Sequence, residues 1–272
     1  MENYLKNSEP VFAFNIWSMD SAKAIMDAAK KQGQAVILQT SASIYQDIDY
    51  PQLKSFVQSY AEGCGIKAWL HLDHCKNPDI IESAIANGWD SVMIDASALS
   101  IEENIKITNQ VTKIAHAKDV LVEAEIGQVS GVEDDISVTE SGVASREEIK
   151  KFLEETNVDM LAVAFGNAHG IYHGSPKLDY SLVEFTTQNT EVPFVVHGGS
   201  GLSDEVLKRL LSIDGVKKIN ISTEVKMAYR EGILRAKKNG LLNEKGFQAV
   251  RVEKVIHDSI AELATRKMRL LE

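Results

Sequence analysis

Short apolar runs, many of them β-branched, alternate along this chain with longer stretches whose apolar residues recur every three or four positions. The runs predict strands at Val11–Asn15, Ala35–Gln39, Lys67–Leu72, Ser91–Asp95, Val120–Glu125, Met160–Ala164, Phe194–Val196 and Lys218–Ile221. Helices are predicted between them at 20–32, 50–63, 78–87, 100–117, 145–156, 180–188 and 204–211, with 224–238 and 247–270 closing the series. Gly33, Gly63 and Gly88 stand where a left-handed cap would end a helix. Asp20, Asn77-Pro78 and Ser203-Asp204 mark helix starts. Strand and helix alternate eight times, and the strands are apolar on both faces. That pattern favours an α/β fold of the (β/α)₈ barrel type over an open doubly wound sheet.

One stretch breaks the rhythm. From Gly127 to Ser145 the chain is too long for a minimal connection and has no strong period. Loops of that length in compact proteins usually serve a function, and Gly127, Gly131 and Gly142 would let this one hinge.

The bulk properties narrow the setting. A chain of 272 residues is long enough for two small domains, but no linker or repeat divides it, and one barrel over 1–272 fits. Hydrophobic residues are 44% and charged residues 25%, which excludes a mostly disordered chain. No apolar run is long enough to span a bilayer, and Met1–Pro10 lacks the order of a secretory signal. Two cysteines, Cys64 and Cys75, make no disulfide framework, so a reducing, cytoplasmic setting is expected. The formal net charge is -10 and no basic cluster with aromatics occurs, so neither nucleic acid nor membrane is an expected partner. An acidic protein can still bind an anion where backbone N–H groups, a helix start or a metal supplies positive potential.

In a barrel of this type the reacting groups lie at the C-terminal ends of the strands. The third strand ends in His71-Leu72-Asp73-His74, the fourth in Asp95, the fifth in Glu123 and Glu125; the sixth leads to His169, the seventh to His197 and the eighth to Asn220. His74, His169 and His197 come from three different strand ends, an arrangement suited to a catalytic zinc with an open position. His71, three residues before His74, falls on the opposite face of a regular strand and is left out of that set. His116 and His257 read as surface residues. The turns His197-Gly198-Gly199-Ser200-Gly201 and Asn220-Ile221-Ser222-Thr223 follow the seventh and eighth strands, where such barrels often bind phosphate.

Taken in order, Ala13-Phe14-Asn15, His71–His74, Ser91–Asp95, Val122–Gly127, Gly131–Asp135, Ala168–Tyr172, His197–Gly201 and Asn220–Thr223 resemble the zinc-dependent class II aldolases acting on fructose and tagatose bisphosphates. The resemblance implies Zn²⁺ on His74, His169 and His197, with Asp73 the acid/base at the C4 oxygen and Glu133 moving the proton at C3. Asp95 and Glu125 match positions for a displaced or second metal. Asn15 lies in a matching segment at the substrate end of the first strand. Gly170, Gly198, Gly199, Ser200, Asn220 and Thr223 match the triose-phosphate site, Asn220 also lying near the enediolate, and Ser41 matches a contact to the far end of the sugar. A monovalent cation beside the phosphate and a homo-oligomer, dimer or tetramer, are further implications.

The departures bear on substrate. His173 stands where many members have lysine, and Ser222 where fructose-bisphosphate enzymes tend to have Asp. Trp17 stands near the first tip, and the partner of a distal anion is unplaced, with Lys245, Arg251 and Lys254 as candidates. The expected substrate is therefore a ketose 1-phosphate or 1,6-bisphosphate, or a sugar ending in another group such as a sulfonate, cleaved to dihydroxyacetone phosphate and an aldehyde. Another metal-dependent phosphosugar lyase or epimerase, and a non-catalytic aldolase-like subunit, are the alternative readings.

Overall fold

The structure, a computed structural model, describes residues 1–48, 50–133, 136–138, 142–172, 174, 176–243 and 245–272; the side chains of 132, 133 and 136–138 lie outside that description. The strands in chain order are β1 (Val11–Asn15), β2 (Val36–Ser41), β3 (Ala68–Cys75), β4 (Ser91–Ile94), β5 (Leu121–Ile126), β6 (Ser130–Glu133), β7 (Ile136–Val138), β8 (Met160–Val163), β9 (Ala168–His169), β10 (Phe194–Val196) and β11 (Val216–Ile221). The helices are α1 (Glu2–Asn7), α2 (Met19–Gln32), α3 (Ala42–Asp47), α4 (Tyr50–Cys64), α5 (Pro78–Ala86), α6 (Ile101–His116), α7 (Arg146–Glu155), α8 (Tyr180–Gln188), α9 (Asp204–Leu211), α10 (Thr223–Lys238) and α11 (Ala249–Met268). Eight parallel strands close a barrel in the order β1-β11-β10-β8-β5-β4-β3-β2. The expected (β/α)₈ fold is what forms.

The two faces of each strand explain the apolar runs. Val11 and Ala13 belong to a small cluster with Ile37, Leu121, Met160, Ala162 and Val195, which fills the lower barrel. Phe12, Phe14, Leu38, Leu72, Val122 and Val196 join the larger cluster between barrel and helices. Side chains alternate with a period of two, so one run must satisfy both layers. Farther along each strand the inward residues become polar, and chemistry replaces packing there.

Some local features differ from the sequence reading. α1 was not expected, because its residues are mostly polar; its one buried residue, Leu5, joins the inner cluster and holds the turn in place. α3 was also missed; Ser41 caps it. α2 starts from a capping box on Ser18, not from Asp20. Gly63 lies inside α4, and the left-handed residue after that helix is Gly65, at φ 68°. His116 and His257 are not plain surface residues: their rings pair with Asp159 at 2.8 Å and Asp27 at 3.2 Å.

The irregular stretch after β5 is a hairpin. β6 pairs antiparallel with β7 and parallel with β9, making a small separate sheet. Two of the three glycines expected to hinge, Gly127 and Gly131, sit at close backbone contacts instead, whereas Gly142 has ordinary room for a side chain. A Cβ on Gly127 would lie 2.4 Å from the Gly142 carbonyl oxygen, and one on Gly131 2.2 Å from that of His169.

Candidate active site

β3 delivers its polar end in an unusual way. Along a regular strand Asp73 would face the barrel and His74 the helices. Instead His74 takes a left-handed φ of 47°, and the register with β4 shifts between Leu72 and Cys75. This local bulge re-aims one side chain, so Asp73 and His74 both serve the site. The expectation for His71 is corrected: its ring contacts Ser91 at 2.8 Å and lies 3.6 Å from Glu123, so it faces into the barrel beneath the site. It remains outside the histidine cluster because it sits lower.

His169 is held by the backbone around it. β9 pairs with β6 so that Gly131 and His169 are partners. On the other side, Gly198, at φ 65°, approaches so closely that a Cβ would lie 2.1 Å from the Ala168 carbonyl oxygen. Only glycine permits both contacts. The Tyr172 hydroxyl accepts from Ala168 N at 2.8 Å and donates to the Gly198 carbonyl at 2.9 Å, while Asn167 Nδ2 donates to the His197 carbonyl at 2.9 Å. The segments bearing His169 and His197 are thus tied together.

Three imidazoles meet as a result. Ligand atoms of His74, His169 and His197 lie within 4.8 Å of one another, and all three residues are buried. His74 Nε2 finds no hydrogen-bond partner among the described residues. Converging nitrogen donors with a buried open nitrogen fit a divalent ion of the zinc type. Carboxylates surround them. His74 Nδ1 lies 3.3 Å from Asp95, and the two nitrogens of His197 lie 2.8 Å from Glu125 and from Glu123. Burial alone would depress the His74 pKa, but Asp73, Asp95 and Glu125 outweigh it and raise the value to about 10. Burial and His74 oppose a charge on His197, yet Glu123 and Glu125 lift it to about 9. A field that draws protons onto imidazoles also draws a cation.

Asp73 is set with equal care. Burial opposes ionised groups here, and hydrogen bonds offset that cost. Gln39 Nε2 donates to Asp73 Oδ2 at 2.8 Å and to Asn15 Oδ1 at 2.7 Å, while Asn220 Nδ2 donates to Asp73 Oδ1 at 3.3 Å. Ser41 is the register partner of Asp73 on β2. Beside them the turns that follow β10 and β11 are bound to each other. Gly199 N donates to the Asn220 carbonyl at 3.1 Å, and Ser200 Oγ accepts from Ser222 N at 3.1 Å and Glu224 N at 3.3 Å. This braces the turn after β10 against the start of α10, where Thr223 is the first helical residue. Ser222 Oγ is buried and has no partner among the described residues.

The model for the family described as "Fructose-bisphosphate aldolase class-II" matches residues 2–272. The chain belongs to the class II fructose-bisphosphate aldolase family. A relative named sulfofructosephosphate aldolase, from Alkalicoccus urumqiensis, is 34% identical over 86% of this chain and 82% of its own length. The crystal structure of the YdjI aldolase from Escherichia coli K12 superposes with a TM-score of 0.84 at 28% identity, covering 99% of this chain and 94% of that one. A fructose-bisphosphate aldolase from Campylobacter jejuni has the same fold, with a TM-score of 0.82 at 23% identity over 99% and 92% of the two chains. The protein is an aldolase, a carbon–carbon lyase of sugar phosphates.

The aldolase brings together most residues singled out from sequence: Asn15, Ser41, Asp73, His74, Asp95, Glu125, His169, His197, Gly198, Gly199, Ser200, Asn220, Ser222 and Thr223 all lie at the ends of barrel strands or just beyond them, and Gly170 follows β9. His173 lies outside the described residues, and of Glu133 only the backbone is described, two positions past the Gly131–His169 pairing. Lys254 is engaged with Asp258 at 2.9 Å, and Lys245 and Arg251 are exposed. Trp17 packs edge-on against Tyr229, ring centroids 5.4 Å apart. Sequence reading missed Gln39, Asn167, Tyr172 and Lys218. The usable signal for Gln39 was a long polar side chain closing the apolar run Ala35–Leu38; Lys218, beside Lys217 in a strand that also holds Asn220, gave none.

No helix among the described residues is long and apolar enough to cross a membrane.

Proposed function

We propose that this aldolase is zinc-dependent and reversibly cleaves a ketose 1-phosphate between C3 and C4, giving dihydroxyacetone phosphate and an aldehyde. The observation that carries the reading is the convergence of His74, His169 and His197 beside an Asp73 carboxylate held by Gln39 and Asn220. His74, His169 and His197 hold the metal, and Asp95 and Glu125 offer a second position for it. When bound, zinc supplies Lewis acidity that stabilises negative charge on the substrate's C2 and C3 oxygens.

The chain's own groups do the rest. Asp73 accepts the C4 hydroxyl proton as the bond breaks and returns it in the condensation direction. Glu133, on the hairpin registered to His169, moves the proton at C3. Gly170, Gly198, Ser200, Asn220, Ser222 and Thr223 receive the phosphate on backbone N–H groups, hydroxyls and the start of α10, which suits an anion despite the acidic chain, while Gly199 shapes the turn through its N–H to the Asn220 carbonyl. Asn15 and Ser41 face the remaining hydroxyls and the distal end, with His173 an additional polar contact.

The sulfofructosephosphate aldolase likeness favours a sulfonate at C6 over a second phosphate. The test is release of dihydroxyacetone phosphate from 6-deoxy-6-sulfofructose 1-phosphate, fructose 1,6-bisphosphate and tagatose 1,6-bisphosphate, each with and without a zinc chelator. Highest kcat/KM on the sulfonate, abolished by chelator and restored by zinc, is expected. Activity untouched by exhaustive chelation would overturn the zinc mechanism; preference for a bisphosphate would overturn the sulfonate assignment.

A further inference from the structure

One turn of the strand pleat below the site, the barrel carries a second polar group that the proposed chemistry does not use. Lys218, Glu123 and His71 are each fully buried. Lys218 Nζ lies 2.7 Å from Glu123 Oε2, and Glu123 Oε1 lies 2.8 Å from His197 Nε2. By the period of two, Glu123 sits one layer beneath Glu125 on β5, and Lys218 one layer beneath Asn220 on β11.

Stability does not account for this pair. Burying two charges costs about as much as their attraction returns, and apolar residues of similar volume usually do as well or better. The same inner surface is filled elsewhere by Ala13, Ala162 and Val195, so the barrel can be packed without charge. What the pair does reach is His197. Its ring is gripped from below through Nε2 by Glu123, while Nδ1 points to the upper layer, where Glu125 lies at 2.8 Å. A metal-binding imidazole is commonly oriented by a carboxylate on its other nitrogen.

We infer that Lys218 is a positioning residue for the metal: it anchors Glu123 against Nε2 of His197 and so turns Nδ1 of that ring toward the other two imidazoles. The inference rests on the zinc reading above. Lys218 touches neither substrate nor metal, and it acts through Glu123 and the ring.

The test uses the full-length protein, a Lys218→Met variant and a Lys218→Met/Glu123→Leu pair variant, the latter leaving no buried charge unpaired. Zinc dissociation constants are measured by competition with a chromophoric chelator, and the visible spectrum of the Co²⁺-substituted proteins reports ligand geometry. Both variants are expected to bind zinc ~10- to 100-fold more weakly than the parent, the range for losing a residue that orients a ligand, with altered Co²⁺ bands. A merely structural pair would lower the melting temperature but leave affinity and spectrum alone. If Lys218→Met does not fold, the pair variant decides. A folded pair variant with zinc affinity within about twofold of the parent and unchanged bands overturns the inference and leaves the zinc mechanism standing. A parent that binds no zinc overturns both.

Discussion

Gln39 and Asp73 are joined by a 2.8 Å hydrogen bond in which the amide donates to the carboxylate, and the same amide nitrogen reaches Asn15 at 2.7 Å. Two neighbouring strands therefore share one donor group, and the carboxylate assigned to proton transfer cannot rotate without breaking the contact. Replacing Gln39 by Leu leaves a buried carboxylate oxygen short of a donor. Hydrogen bonds to charged groups contribute ~1.5–3 kcal/mol, so kcat should fall roughly 10- to 100-fold. KM for the ketose phosphate should change much less. Steady-state kinetics on Gln39→Leu, with circular dichroism to check the fold, measures both.

Asp73→Ala removes the proposed acid/base itself. Turnover should drop by ~10²-fold or more, as for loss of a positioned proton-transfer group. Zinc content by elemental analysis should match the parent, because the proposed ligands are the histidines. Normal turnover would remove Asp73 from the mechanism.

Gly131→Ala tests the clamp on His169. The new methyl would lie 2.2 Å from the His169 carbonyl oxygen, at a backbone φ of 107° that side chains rarely adopt. The strain alone is worth ~1–3 kcal/mol. Denaturant unfolding should show at least that loss. Zinc should also be released at a lower chelator concentration, since the hairpin and the ligand segment must separate.

Metal removal should cost stability as well as activity. A ligand bound only by the folded state stabilises it by ~4 kcal/mol when present at about 1,000 times its dissociation constant. Chelator-treated protein should melt at a lower temperature, and the melting point should rise with added zinc. An identical melting curve with and without metal would argue against a resident ion.

Acid stability should respond to Asp27, on α2. Burial works against its ionised form, but hydrogen bonds from Lys23 and Tyr60, with the charges of Lys23 and His257, prevail and hold its carboxyl below the usual range. A depressed folded value means the contribution is complete above the unfolded pKa of ~3.9. It is lost as pH falls through the lower folded value. Asp27→Asn should therefore be less stable than the parent at neutral pH, and the difference should close below about pH 4. Urea midpoints across that range provide the measurement.

Much of this molecule was readable residue by residue. Apolar runs such as Phe12-Ala13-Phe14 must pack on both faces, and periodic stretches such as 204–211 must cover them, which requires a helix-covered parallel sheet and, with eight repeats, favours its closure into a barrel. The polar ends of those runs marked His74, His169, His197 and Asp73 as partners in one site. What escaped was whatever depends on a partner distant in sequence. Leu5 stabilises α1 only because the barrel offers a hydrophobic floor. The hairpin after β5 forms against β9, about forty residues on.

Local pattern thus determined the fold class and the inventory of reactive side chains, because the 2.0 and 3.6 periods of strand and helix are written in short range. The tertiary structure alone decided how those side chains face one another: the bulge that turns His74 inward, the amide of Gln39 bridging two strands, and the burial of Lys218 under His197. The physical reason is that direction and hydrogen-bond partnership at a strand end are set by the neighbouring strand, which no local stretch of sequence contains.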